Sequence, residues 1–241
     1  MSNRYKIFEV GGCIRDEILG VHTKDIDFIF VLENISVDEG WESMIYILES
    51  KGFKIFMKNK RCFTIRAMFP KEHKYNSLVA DFVMSRKEIG VIPGTRQPIL
   101  ELGTLEDDLM RRDFTINSLC KDETGKIIDM FGGLEDLKKG ILKTPLPPMK
   151  TLMDDPLRML RGLRFCITKN FIIDDDLWNC MLEPELLKKL EVIVSQERIR
   201  EEITKMFKHD TLKTLNLLRL VPGLMEVIFN NGMWLLPTTK K

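Results

Sequence analysis

The chemistry-bearing residues of this 241-residue chain begin with "KDIDFIF", where Asp25 and Asp27 stand two apart in an apolar run. Side chains two apart on a strand share a face, so these two carboxylates converge. Carboxylates held a few Å apart repel, which calls for a proton, an arginine or a cation between them. Oxygen-only ligation suits Mg²⁺, which takes one or two protein carboxylates and leaves the rest of its shell to water and substrate phosphates. A bare pair of this kind is also a common feature of solvated strand entrances. The residues just upstream weigh against that reading. In "EVGGCIRD" a strand runs into Gly11 and Gly12 and then into a helix. Two glycines let the backbone approach a ligand closely, and a new helix offers unpaired N–H groups and the positive end of its dipole. A phosphate chain fits there, with Arg15 one turn in to clamp it; the alternative is an ordinary tight turn.

A third carboxylate, Asp81, interrupts the apolar stretch "SLVADFVMS". A buried charge must be paired or coordinated. Either Arg86 or another basic residue neutralises Asp81, or it joins Asp25 and Asp27 around metal ions as in two-metal phosphoryl transfer. Further on, "DDPLRMLRGLRF" sets Arg158, Arg161 and Arg164 three apart behind Asp155 and Pro156. Aspartate then proline is a helix-start signal, and arginines spaced by three occupy one arc, which suits the wet face of an amphipathic helix.

The elements that must position these groups read as α+β. "YKIFEV" and "DIDFIFVL" are strands around a short helix, "CIRDEILG". The stretch "SVDEGWESMIYILESKGF" has helical spacing of Trp41, Met44, Ile45, Ile47 and Leu48, with Ser36 as cap and Gly52 as stop. "FKIFMKN", "CFTIRAMF" and "SLVADFVMS" follow as strands. The Gly- and Pro-rich "GVIPGTRQPILELGTL" reads as loop, and from "EDDLMRRDFTINSLCK" onward helix dominates, interrupted by "DETGKIIDMFGG". The proline-rich "KTPLPPMK" marks a boundary, giving domains over residues 1–145 and 146–241. A hydrophobic content of 44% is ample for packed cores. Net charge is +1, so a polyanion site has to come from local clustering. Five scattered cysteines in no CxxC pair speak for free thiols and against structural zinc. With no membrane-length apolar run and no signal-peptide pattern, the expected location is cytoplasmic, away from membranes.

Taken in order, "VGGCIRD", "KDIDF", "RRDFTINSL", "IIDMFGGLEDL", "DDPLRMLRGLRF" and "SQERIREEI" resemble the class II tRNA nucleotidyltransferases, the CCA-adding enzymes, and the related bacterial poly(A) polymerases. The resemblance spans roughly residues 5 to 205. It implies a nucleotidyltransferase head of the DNA polymerase β type, a mixed sheet with flanking helices, followed by an all-helical neck and part of a body. It also implies that Asp25 and Asp27 bind Mg²⁺, that Gly12 and Arg15 contact the incoming triphosphate, that Arg112 reaches the nucleotide, and that Asp113 and Asn117 lie near its sugar and phosphates. Without the resemblance, Arg111, Arg112 and Asp113 are equally surface ion pairs at a helix start.

The same resemblance assigns Asp155 and Arg158 to reading the base, with Arg161 and Arg164 lining that site. Cytosine and adenine both present an amino donor beside a ring-nitrogen acceptor, whereas guanine and uracil present a carbonyl beside an N–H. A carboxylate next to a guanidinium therefore accepts C and A and rejects G and U, because a mismatch strands buried polar groups at about 1–3 kcal/mol each. The implied activity is addition of CMP and AMP, from CTP and ATP, to the 3′ end of tRNA or another RNA, releasing diphosphate. Two alternatives stand beside it: a poly(A) or A-adding enzyme, and a catalytically silent RNA-binding subunit. Family members usually run further beyond the neck, so the expectation is that either a homo-oligomer or a second polypeptide completes the RNA grip or the substrate is a simpler RNA end, with Met233, Trp234 and Leu235 as a candidate apolar patch or a packed end.

Overall fold

The computed structural model describes residues 5–23, 25–33, 35–76, 78–91 and 98–229. It falls into two compact units, Met1–Leu137 and Lys138–Lys241. Met233, Trp234 and Leu235 lie outside the described residues.

The first unit begins with strand β1 (Tyr5–Val10), helix α1 (Gly12–Ile18), strand β2 (Asp25–Leu32) and helix α2 (Val37–Ser50). α2 starts where expected: the Ser36 hydroxyl accepts from the Glu39 N–H, and the Glu39 carboxylate accepts from the Ser36 N–H in return. It stops at Gly52, whose φ of 79° is the left-handed conformation that ends helices. Strands β3 (Lys54–Asn59), β4 (Thr64–Met68) and β5 (Val79–Met84) follow. β6 (Arg86–Val91) and β7 (Pro98–Leu102) pair antiparallel. The stretch expected to be loop therefore contains strands on both sides of residues 92–97. Apolar Ile99 and Leu100 outweigh the turn residues beside them once β6 is there to pair with.

Helix α3 (Leu105–Met110) is only six residues long, and a short 3₁₀ turn at Thr115–Asn117 leads into strands β8 (Leu119–Lys121) and β9 (Ile127–Asp129). The helical run expected here is thus broken by two strands, which are recruited to the sheet by pairing with β1 and with each other. Helix α4 (Gly133–Lys139) closes the unit. The seven-stranded sheet runs β3-β4-β5-β2-β1-β8-β9, with β2 and β5 parallel and every other pair antiparallel. One face packs Phe8, Val10, Ile29 and Cys120 against Leu109 of α3. On the opposite face Phe28 stacks on Phe82 at 4.8 Å, and α2 approaches so closely that a Cβ on Gly40 would lie 2.6 Å from Leu32 Cδ1. By alternation, Asp25 and Asp27 lie on the α3 face, with Ile29.

The second unit is helical apart from a two-residue parallel pair, β10 (Ile141–Leu142) with β11 (Ile172–Ile173). Its helices are α5 (Pro148–Asp154), α6 (Leu157–Lys169), α7 (Asp175–Met181), α8 (Pro184–Ile193), α9 (Gln196–His209), α10 (Thr211–Leu218) and α11 (Leu224–Phe229). α6 is its central element. Met159, Leu160 and Leu163 are completely buried, and Ile199, Ile203 and Met206 of α9 are equally buried.

Candidate active site

The parallel register of β2 and β5 sets Asp27 directly beside Asp81, and the antiparallel register of β4 and β5 sets Arg66 directly across from Asp81. Asp25, Asp27 and Asp81 therefore share one sheet face. Burial raises the Asp27 pKa; Arg112 opposes that shift, while Asp81 and Asp25 reinforce it. The partner that Asp81 requires is Arg66, whose Nε and Nη2 donate to the two carboxylate oxygens at 2.6 and 3.0 Å. Arg86 is elsewhere, donating through Nη1 to the Cys62 carbonyl. Among the described residues, no group of three or more His, Cys, Asp or Glu is arranged to hold a metal ion. Asp25 and Asp27 are two carboxylates on one face, and an oxygen-only pair of this kind is chemically compatible with Mg²⁺.

The turn before α1 depends on glycine. Gly11 has φ 81°, its N–H donates to the Leu119 carbonyl at 3.0 Å, and a Cβ there would stand 2.6 Å from Arg112 Nη1. The guanidinium lying over this turn is thus Arg112. Arg112 also reaches Asp108 at 3.4 Å, and its buried Nε has no hydrogen-bond partner. Arg15 is 7% exposed, with Nε and Nη2 on the Asp16 carboxylate and Nη1 on Asn117 Oδ1. Asn117 in turn donates to Asp113 Oδ1 at 2.9 Å, and the same oxygen accepts from the Phe114 N–H. Arg15, Asn117 and Asp113 thus form one buried chain beside Gly12, whose Cβ would meet Arg15 Nη2 at 3.3 Å. Arg111, Arg112 and Asp113 follow the end of α3 instead of starting a helix, and Arg111 pairs with buried Asp108 at 2.6 Å.

In the second unit, α6 begins at Leu157, and Asp155 Oδ1 accepts from the Leu157 N–H at 3.2 Å, the capping role its position suggests. The other oxygen, Oδ2, accepts from Arg198 Nη2 at 2.8 Å. Arg158 donates through Nη1 to the Thr151 carbonyl at 3.2 Å. Arg158, Arg161 and Arg164 are all half-buried. Arg164 is committed to Glu202, a carboxylate only 4% exposed, and lies over the Phe165 ring at 4.6 Å. Burial pushes Glu202 up, but Arg164 and Lys205 outweigh it and hold its pKa below the ordinary value.

Residues 7–143 match the poly A polymerase head domain. The chain belongs to the poly(A) polymerase head-domain family. It is 32% identical over 217 residues to the tRNA nucleotidyltransferase cca2 of Schizosaccharomyces pombe, covering 86% of this chain and 44% of that relative. It is also 32% identical over 203 residues to the multifunctional CCA protein of Nitrosomonas eutropha, covering 82% and 43%. The chain thus spans less than half the length of these relatives. A tRNA nucleotidyltransferase solved with a primer tRNA and an incoming ATP analog superposes with a TM-score of 0.72 at 27% identity, covering 95% of this chain and 61% of that one. The Bacillus stearothermophilus CCA-adding enzyme in complex with CTP gives 0.69 at 26% identity, covering 89% and 47%. The family fold is the expected one, an α+β head with a mixed sheet and flanking helices.

Sequence reasoning missed Arg66, Asp108, Arg198 and Glu202. For Arg66 a signal existed: "TIRAM" and "VADFVM" are apolar strands, each interrupted by one charge of opposite sign. For Arg198 and Glu202 it was their spacing of four on a helix, which gives one face two charges to offer to Asp155 and Arg164.

Proposed function

We propose that the chain carries the nucleotide-adding core of a template-independent RNA nucleotidyltransferase, which joins CMP and AMP from CTP and ATP to the 3′ end of tRNA and releases diphosphate. We take the head as residues 1–145, with the neck and the start of the body from 146. The observation that carries this reading is the clustering of Asp25, Asp27 and Asp81 on one sheet face, with Arg112 over the Gly11 turn and close enough to bear on the Asp27 charge. Named relatives act on tRNA, and solved neighbours hold an ATP analog and CTP, which supports the substrate class.

Asp25 and Asp27 would hold Mg²⁺, which activates an attacking hydroxyl and steadies a leaving diphosphate when bound. The side-chain-free backbone at Gly11 and Gly12 makes room for the Arg112 and Arg15 guanidinium groups, and Arg112 there would meet the charge of an incoming triphosphate. Arg15, with its fork on Asp16 and Asn117, fixes the wall of this cradle, and Asn117 and Asp113 set the turn that lies against the sugar and phosphates. Asp155 and Arg158 supply the acceptor and donor that C and A match and that G and U do not, with Arg161 beside them and Arg164 anchoring the helix to Glu202. The five cysteines are free, which suits work in the reducing cytoplasm.

Incubating the protein with tRNA lacking its CCA end and each labelled NTP in turn tests this reading. Incorporation of C and then A is the expected result. Incorporation of A alone makes it a poly(A) or A-adding enzyme, and no incorporation on any RNA favours a silent RNA-binding subunit.

A further inference from the structure

The acid face holds three carboxylates and one guanidinium on three adjacent strands. Arg66 stands in register with Asp81, and Asp81 in register with Asp27, so the three side chains form a row across β4, β5 and β2. Arg66 takes both Asp81 oxygens in a bidentate fork. A fully exposed pair ordinarily contributes little, whereas this one is half-buried. Here the attraction extends past the immediate partner, since Asp25 and Asp27 also act on Arg66. Without Arg66 the trio carries three negative charges; Arg66 offsets one of them, while Arg112 also bears on Asp27. Asp81 is turned into the fork, and the described residues show no three-carboxylate cage.

We propose that Arg66 is a built-in counter-ion of the acid face: its fork occupies Asp81, leaves divalent ions to Asp25 and Asp27, and keeps the grip on those ions loose. This rests on the assignment of divalent ions to Asp25 and Asp27 made above. A residue that merely held the strands together would weaken ion binding when removed. A counter-ion does the opposite, and that difference in sign separates the two roles.

The test is Mn²⁺ binding to the intact chain, followed by the electron paramagnetic resonance of free Mn²⁺, with thermal melts alongside. Arg66→Gln is expected to bind Mn²⁺ on the order of tenfold more tightly, as removal of one nearby positive charge at the edge of a solvated site implies. It is also expected to melt lower than the parent without metal and to recover more on Mn²⁺ addition. Arg66→Lys, which keeps the charge, is expected to stay within about threefold of the parent. The double variant Arg66→Gln/Asp81→Asn restores the original net charge and is expected to bind as the parent does. If Arg66→Gln does not fold, the double variant is compared with Asp81→Asn alone, against which it is expected to bind about tenfold more tightly.

Unchanged or weaker binding by Arg66→Gln, with Asp25→Asn and Asp27→Asn abolishing binding, would overturn the counter-ion role while leaving the ion assignment intact. A double variant that binds on the order of a hundredfold more weakly than the parent would overturn it too, by making Asp81 a ligand. Indifference of Mn²⁺ affinity to Asp25→Asn and Asp27→Asn would remove the ion assignment and this inference with it.

Discussion

The acid face of the first unit and the arginine stripe of the second treat charge in opposite ways. On the acid face three carboxylates meet Arg66, with Arg112 also bearing on Asp27, and burial raises the Asp27 pKa. Along α6, Arg158 has a backbone carbonyl, and Arg164 has a buried carboxylate that it holds ionised. Asp155, at the head of the same helix, is shared between a cap and Arg198. The first arrangement stores electrostatic cost, which a cation would relieve under the function proposed above. The second spends its charges on fixing side chains in place, which is what recognising the edge of a base demands.

The largest effect expected from breaking this contrast is on chemistry. Asp27→Asn should lower nucleotide incorporation by about 10²–10³-fold or more with the fold intact by circular dichroism, because the charge that stabilises the transition state through bound ions is gone. Next comes Glu202→Ala, which leaves the half-buried Arg164 guanidinium without its buried carboxylate and should cost about 2–3 kcal/mol in chemical denaturation. Gly133→Ala should follow at about 2–3 kcal/mol, since the new Cβ would fall 2.2 Å from the Thr115 carbonyl oxygen, displacing the turn that carries Asn117. Asp155→Asn should reduce the preference for C and A over G and U by about 10- to 100-fold in labelled-NTP competition, with a smaller effect on total rate.

The smallest effect is a pH dependence. Because the Glu202 pKa is lowered in the fold, the stability it contributes is fully present above the ordinary glutamate value and is lost as pH falls through the lowered one. Glu202→Gln should flatten the acid limb of melting temperature against pH. By contrast, Lys6→Ala at the exposed Lys6–Glu33 pair should change stability by less than about 1 kcal/mol.

Where signals were local, the sequence was a sufficient guide. The Ser36 cap, the Gly52 stop, the Gly11 turn and the two-residue spacing of Asp25 and Asp27 each work within a few residues of chain. The strands β8 and β9 were hidden because three-residue strands are dictated by what they pair with, and β1 lies far upstream. β6 and β7 were hidden because glycine and proline between them outvoted the apolar residues on either side. The carboxylates were legible, but their partners were not. Arg66 meets Asp81, and Arg198 meets Asp155, only through strand register and helix packing, which no short stretch of residues encodes.

The parallel alignment of β2 and β5 has a consequence for how the protein comes into being. Strands side by side in the same direction cannot be joined by a tight turn, so everything between Leu32 and Val79 must be synthesised before Asp81 can arrive next to Asp27. A slip of one position at that docking step would turn Asp81 toward the far side of the sheet and bring Ala80 or Phe82 in its place. A nascent chain that has emerged only as far as β4 thus carries both aspartates of β2 and the arginine of β4 with no acid for that arginine to hold. The acid row is complete only once β5 lies between β4 and β2.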